Sequence, residues 1–319
     1  SAASDVYKRQ LVPAPPWIVF GKSVAFGRSL EITFPSIGSV MPRPTPLTLV
    51  LVTGLLILTS GRSLLEAQEG GPSERKAADV SLAVEALKPL FGRLVAAKST
   101  RATVELSADT IVDGAVINSQ KSVYQIASQA PDKFTVYLKE DDRRARIYCD
   151  GETATVALSP TAFANLDKPI PLQRALFELP IPMGPYPEAV LALTLASVDP
   201  AFTLTTGMKS VDLEDRNPFR GKTPAIHLSG VQDDDVRWDL WITQDEIPKP
   251  LRLRVDLTEM LRANGGLEMP EGYRYTLRFD FKTWLIDHTN PASLFTYKKT
   301  DDAKQYASIQ AYIEEQKKE

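Results

Sequence analysis

Apolar positions recur at two different spacings along this chain. Over Ala77 to Lys98, the residues Val80, Val84, Leu87, Phe91, Leu94 and Val95 fall three or four apart in one stripe, which predicts an amphipathic helix. Asp79 is placed to cap its start, and Pro89 is expected to kink or break it. Past Lys98 the spacing changes to two. Ala102, Val104 and Leu106 alternate with Arg101, Thr103 and Glu105, and Phe134, Val136 and Leu138 alternate with Lys133, Thr135 and Tyr137. Ile147 to Leu158 carries Asp150-Gly151 between two alternating runs, a strong hairpin signal. The clearest strands come late. Val236, Trp238, Leu240 and Ile242 share one face, Leu251 to Leu257 alternates with arginine and aspartate, and Tyr273 to Phe281 sets aromatic and aliphatic residues opposite Arg274, Thr276, Arg278 and Asp280.

Strict alternation means one wet and one buried face, the habit of antiparallel sheets. No βαβ succession and no repeat of 20–50 residues is present. The strands are interrupted by an apolar insert, residues 169–198, with six prolines between Pro169 and Pro187 and a short helix expected over Glu188 to Ser197. It holds too many prolines to join the sheet and too many apolar residues to lie free in water. A last helix is expected from about Ala303 to Gln316. The buried sheet face needs a cover, and the first helix and the insert are the large apolar elements available. The expected fold is α+β and mainly antiparallel β: a strongly curved half-barrel sheet wrapped around the N-terminal helix and the insert, which is read equally as a mobile lid or a static plug.

The N-terminal stretch reads differently. The first methionine is Met41, and residues 1–40 show no sustained period, so they read as a non-native upstream segment. Met41-Pro-Arg-Pro-Thr-Pro is followed by twelve uncharged residues, Leu47 to Leu58, and then by Thr59, Ser60 and Gly61. A basic start, a short apolar run and a small-residue junction make a cleavable secretory signal peptide, residues 41–67, with cleavage expected after Ala67. The run is shorter than the roughly 20 residues a membrane-spanning helix needs, and no cysteine follows it to carry a lipid anchor. Residues 68–78 read as a linker, residues 79–300 as the folded domain and residues 301–319 as a C-terminal helix. The expected product is periplasmic, with no stable membrane anchor after cleavage.

Composition narrows the function. Of the 319 residues, 43% are apolar and 24% charged, which suits a globular core. Residues 1–67 hold six Lys/Arg and three Asp/Glu, leaving 31 basic and 37 acidic residues and a net charge near −6. That balance argues against nucleic acid and against a polybasic membrane anchor. One cysteine, Cys149, and two histidines, His227 and His288, exclude an intramolecular disulfide and a histidine-rich zinc site. Cys149 falls on an apolar face and reads as a small buried hydrophobe. Asp233-Asp234-Asp235 lies where a charged hairpin loop is expected and lacks the glycine and distal glutamate of a calcium loop. Trp238 points to the core, whereas Trp241, three residues on, falls on the polar face as a partner contact or an aromatic covered by a loop. No catalytic residue, metal ligand or cofactor is assigned.

Phe219-Arg-Gly-Lys-Thr-Pro-Ala-Ile-His-Leu228, Trp238-Asp-Leu-Trp-Ile242 and Ile247-Pro-Lys-Pro-Leu-Arg-Leu253, behind a helix and several strands, resemble the LolA/LolB-like superfamily, closest to its branch of predicted periplasmic proteins of unknown function. The resemblance covers roughly Asp79 to Phe295. It implies an open half-barrel with a helical lid and, in the named carriers, an apolar cavity for lipoprotein acyl chains. This chain departs from them in its longer, proline-rich insert and in its continuation past Phe295. The candidate cavity residues are Phe134, Val136, Leu138, Phe177, Trp238, Leu240, Leu253, Tyr275 and Phe279. A continuous pocket lined by them fits a non-enzymatic carrier of a lipid or an acylated partner, and a solid interior fits an envelope protein–protein module.

Overall fold

The computed structural model describes residues 72–141, 143–264 and 269–317. The expected upstream segment and signal peptide lie outside the described residues. The first described element, α1 (Pro72–Ala96), begins several residues earlier than the sequence pattern predicts and takes in most of the expected linker. Proline is preorganised for the first helical position, which favours the earlier start. The helix also runs through Pro89 without a break. Its buried stripe is Ala83, Leu87, Leu90, Leu94 and then Ala97, whereas Val84 and Val95 are exposed. The predicted stripe is thus rotated: the leucines and small residues set the packed face.

Twelve strands follow in one sheet: β1 (Ser99–Val112), β2 (Ala115–Gln129), β3 (Lys133–Glu140), β4 (Arg143–Asp150), β5 (Ala154–Ser159), β6 (Ala162–Leu166), β7 (Met208–Asp215), β8 (Ala225–Gln232), β9 (Arg237–Thr243), β10 (Pro250–Asp256), β11 (Arg274–Ile286) and β12 (Lys304–Tyr306). Their order is β12-β6-β5-β4-β3-β2-β1-β11-β10-β9-β8-β7, so the sheet does not close on itself. Every pairing is antiparallel except β12 with β6. Two meanders, β1–β6 and β7–β11, are joined through the pairing of β1 with β11. Laid flat, twelve strands at about 4.8 Å spacing would spread over ~50 Å. Yet inward residues from β5 (Val156) to β7 (Val211) belong to one hydrophobic cluster. The sheet therefore wraps around its own core.

A register shift marks β11. Thr103 pairs with Thr283 and Val104 with Phe281, which leaves Lys282 as an extra residue. A bulge of this kind reverses the inside–outside phase. Leu277 and Phe279 point inward before it and Trp284 after it. The expected C-terminal helix is shorter than predicted. Residues 304–306 form β12, and α-helix begins only at Ile309, where the Ser308 hydroxyl accepts from the Ala311 N–H at 3.1 Å.

The insert lies in the connection between β6 and β7, residues 167–207, and in the structure extends past its expected end at 198 to fill it, with three short helices: α2 (Leu172–Ala175), α3 (Pro187–Ala192) and α4 (Ala201–Leu204). The helix expected over Glu188–Ser197 thus ends at Ala192, and the chain continues in turns. A further helix, α5 (Thr258–Asn264), connects β10 to β11. Among the described residues no helix is long and apolar enough to cross a membrane.

Candidate functional site

The nine residues proposed from the sequence to line a cavity all reach the concave side. Phe134, Val136, Leu138, Trp238, Leu240, Leu253 and Phe279 are buried in the central cluster, and Phe177 and Tyr275 pack partly buried against it. The insert packs against them in the same cluster, through Leu172, Met183, Val190, Leu191, Leu193 and Leu195. Residues 189–196 are all fully buried, eight in succession. A segment apolar on every side belongs inside a core.

The insert is held in place by the sheet. Too irregular to satisfy its own backbone, it must find partners elsewhere, since a buried carbonyl without one costs free energy. The partners are inward side chains of the strands. Trp284 Nε1 donates to the Leu193 carbonyl at 2.7 Å, and Trp238 Nε1 donates to the Leu204 carbonyl at 3.0 Å. The Tyr124 hydroxyl donates to the Met183 carbonyl, Thr100 to that of Thr194 and Gln232 to that of Thr203. Ser128 Oγ accepts from the Ala196 N–H at 2.8 Å, and the Cys149 thiol contacts the Ile170 carbonyl at 3.6 Å. Burial pushes the Tyr124 hydroxyl far above the ordinary phenol range and Tyr275 up to about 12, so both stay protonated. Gly184 lies so close to Tyr124 that an added Cβ would sit 2.4 Å from the hydroxyl oxygen. Tyr124, Thr100, Ser128, Gln232 and Trp284 do not appear among the sequence candidates. For Tyr124, Thr100, Ser128 and Gln232 the signal is a polar group in phase with an inward apolar series; Trp284 is out of phase and is brought inward by the bulge at Lys282.

On the outer face, His227 lies across the sheet from Trp241, and the two rings stack with centroids 4.1 Å apart. Phe219 packs against Trp241 from the loop before β8, so this tryptophan is covered rather than free. His227 Nε2 is 3.1 Å from Asp239 and Nδ1 is 3.4 Å from Asp215. Partial burial opposes charge on the ring, but the bond to Asp239, its charge and then Asp215 outweigh it and raise the histidine pKa. A group with a raised folded pKa stabilises fully below its unfolded pKa, about 6.5 for histidine, and that contribution fades as pH rises through the folded value. His227→Gln should therefore narrow its stability deficit to wild type between pH 5.5 and 8.5, measured by urea unfolding. A deficit that widens with pH would reverse the assigned sign.

The remaining candidates have structural roles. Asp233, Asp234 and Asp235 form the β8–β9 turn: the Asp233 N–H donates to the Gly207 carbonyl, Asp234 accepts from the Val236 N–H and Asp235 pairs with Lys209 at 2.6 Å. Cys149 is fully buried. His288 is exposed, and its carbonyl accepts from Ser99 Oγ at 2.7 Å. Two pockets lie away from the nine cavity candidates, one beside Tyr148, Phe163 and Tyr297 on the outer face and one at the C-terminal end of α1.

A family model described as predicted periplasmic protein (DUF2092) matches residues 83–307. No curated protein matches the chain. Similar solved structures include a LolA superfamily protein from Nitrosomonas europaea, at 13% identity and a TM-score of 0.30, covering 67% of this chain and 97% of that one. A DUF1329 family protein from Desulfovibrio piger is similar at 9% identity and a TM-score of 0.31, covering 70% of this chain and 97% of that one.

Proposed function

The chain belongs to the DUF2092 family of predicted periplasmic proteins, and on that premise we propose that it is a non-enzymatic binding protein that carries a lipophilic ligand or an acylated partner between sheet and insert. One observation carries this reading: the concave apolar face is covered by a separate segment, with residues 189–196 fully buried, and not by the strands folding onto one another. That segment occupies the surface an acyl chain would use. Displacing the insert gives up the apolar burial of residues 189–196 as well as its hydrogen bonds, and an acyl chain taking its place restores apolar burial on the same face. Burying a long chain yields on the order of 10 kcal/mol, at about 0.8 kcal/mol per methylene. The hydrogen bonds holding the insert contribute about 1 kcal/mol each, several kcal/mol together.

Those same bonds favour a second reading, an envelope protein–protein module whose filled core never opens. Mass spectrometry of organic extracts and titration with a fluorescent fatty acid separate the two. The carrier reading expects copurifying lipid or saturable fatty-acid binding. A protein with neither leaves the filled-core module.

A further inference from the structure

Cations gather on the outer face of the sheet. Leu138, Leu253, Val255 and Phe279 are buried inward, so alternation turns Lys139, Arg252, Arg254 and Arg278 to the other side. Arg254 on β10 pairs directly with Arg278 on β11, and Lys139 on β3 directly with Arg144 on β4. Like charges in directly opposed positions destabilise a sheet. Between the two pairs, Ser107 on β1 stands opposite Arg278, and Lys121 on β2 stands opposite Ser107. The cations thus run over six adjacent strands, β10-β11-β1-β2-β3-β4, about 24 Å of sheet.

The carboxylates of this face are already engaged. Asp280 accepts from Arg252 Nε at 2.8 Å and is shared by Arg220 at 3.2 Å and Arg278 at 3.4 Å, so three guanidinium groups meet one carboxylate. Glu105 pairs with Lys282 at 2.9 Å and Asp239 with His227 at 3.1 Å. Asp109 accepts from the hydroxyls of Ser107 and Ser119. Among the described residues, Arg254 and Lys121 have no ion-pair partner. Asp141 and Asp142, which join β3 to β4, temper the Lys139–Arg144 pair, so the surplus is strongest at Arg254, Arg278 and Lys121. The chain as a whole is acidic, with 40 Asp/Glu against 37 Lys/Arg, and its overall balance does not disclose this local excess.

We propose that this face docks on an anionic phospholipid bilayer. All six strands lie inside the sheet with both edges paired, so a polypeptide finds no strand edge to extend and no main-chain hydrogen bonds here. What the face offers is cationic side chains spread over a broad surface. A layer of phosphate headgroups complements that pattern, because guanidinium forks match phosphate oxygens and each cation adds to the attraction. Contact through charge alone is reversible, which suits a chain whose described residues include no membrane-spanning helix.

Cosedimentation with vesicles tests the proposal. At low salt the protein should pellet with vesicles containing phosphatidylglycerol and stay in solution with phosphatidylcholine alone. Binding should vanish at about 1 M salt, where charges are screened beyond about 3 Å. Arg254→Gln with Lys121→Gln should weaken partitioning roughly thirtyfold, about fivefold for each cation removed. Neither side chain is in an ion pair, and Arg254→Gln relieves a like-charge contact, so the urea midpoint should not fall. Lys88→Gln with Lys304→Gln removes the same charge from α1 and β12 and should leave binding unchanged. Fatty-acid titration involves no bilayer, so docking and ligand carriage can each fail alone. No binding to anionic vesicles overturns the proposal. So does binding that survives high salt or the Arg254 and Lys121 substitutions, or that the Lys88 and Lys304 substitutions weaken as much. Soluble poly-glutamate held more tightly than the vesicles, charge for charge, assigns the face to an acidic polypeptide and overturns it as well.

Discussion

Trp238→Ala is expected to lower stability by about 4 kcal/mol, the range for removing a large buried aromatic. Three separate losses contribute. The indole is only 2% exposed, so the substitution leaves a cavity in the central cluster. Its N–H donates to the Leu204 carbonyl at 3.0 Å, and that buried acceptor is left unpaired. Its ring also lies flat over Gly230 on β8, where a Cβ would come within 2.4 Å of two ring atoms, so no neighbouring side chain is there to collapse into the gap. In a domain of this size the melting temperature should fall by about 10 °C in calorimetry. Trp241→Ala, on the outer face, should cost about 1 kcal/mol by comparison, the worth of a partly exposed aromatic contact. Equal losses would contradict the inward and outward assignment of the two tryptophans.

That assignment was legible in the sequence, because a strand places residues three apart on opposite faces and the alternation around Trp238 is unbroken. The same logic recovers the inward residues of β3, β9 and β10. It fails where the period slips. Trp284 is out of phase with Tyr275, Leu277 and Phe279, and only the bulge at Lys282 brings it inside, which alternation alone does not reveal. In α1 the predicted stripe takes in Val84 and Val95, which the packing leaves outside, because the leucines and alanines together define the buried face. The insert is legible as apolar and proline-rich, and its burial follows from that. Its attachment does not. Thr100, Tyr124 and Ser128 read as ordinary strand residues, and the backbone groups they satisfy, two carbonyls and the Ala196 N–H, lie at least 59 positions away in the chain. The pocket at the C-terminal end of α1 is assembled from three separate stretches, residues 93–99, Gln129 and residues 287–290, with no spacing motif, so composition and periodicity carry no sign of it.

Loosening the insert should raise fatty-acid affinity while lowering stability, and that pairing is what a carrier requires. Tyr124→Phe removes the bond to the Met183 carbonyl, and Ser128→Ala removes those to the Ala196 N–H and Thr100. Both substitutions keep the packing volume close to constant, so the cost is that of the hydrogen bonds, about 2 kcal/mol for the pair. The closed form bears this loss. In the open form the Tyr124 hydroxyl would face an acyl chain with no acceptor, and phenylalanine removes that penalty too. If a ligand binds only after the insert yields, its apparent affinity is reduced by the rarity of the open state. Shifting the equilibrium by about 2 kcal/mol then tightens binding of a fluorescent fatty acid roughly thirtyfold, since each 1.4 kcal/mol is a factor of ten. The measurements are the dissociation constant and the urea midpoint of the double variant and of wild type. A filled-core module predicts the drop in midpoint with no gain in fatty-acid binding, and that result would end the carrier reading even if both variants fold normally.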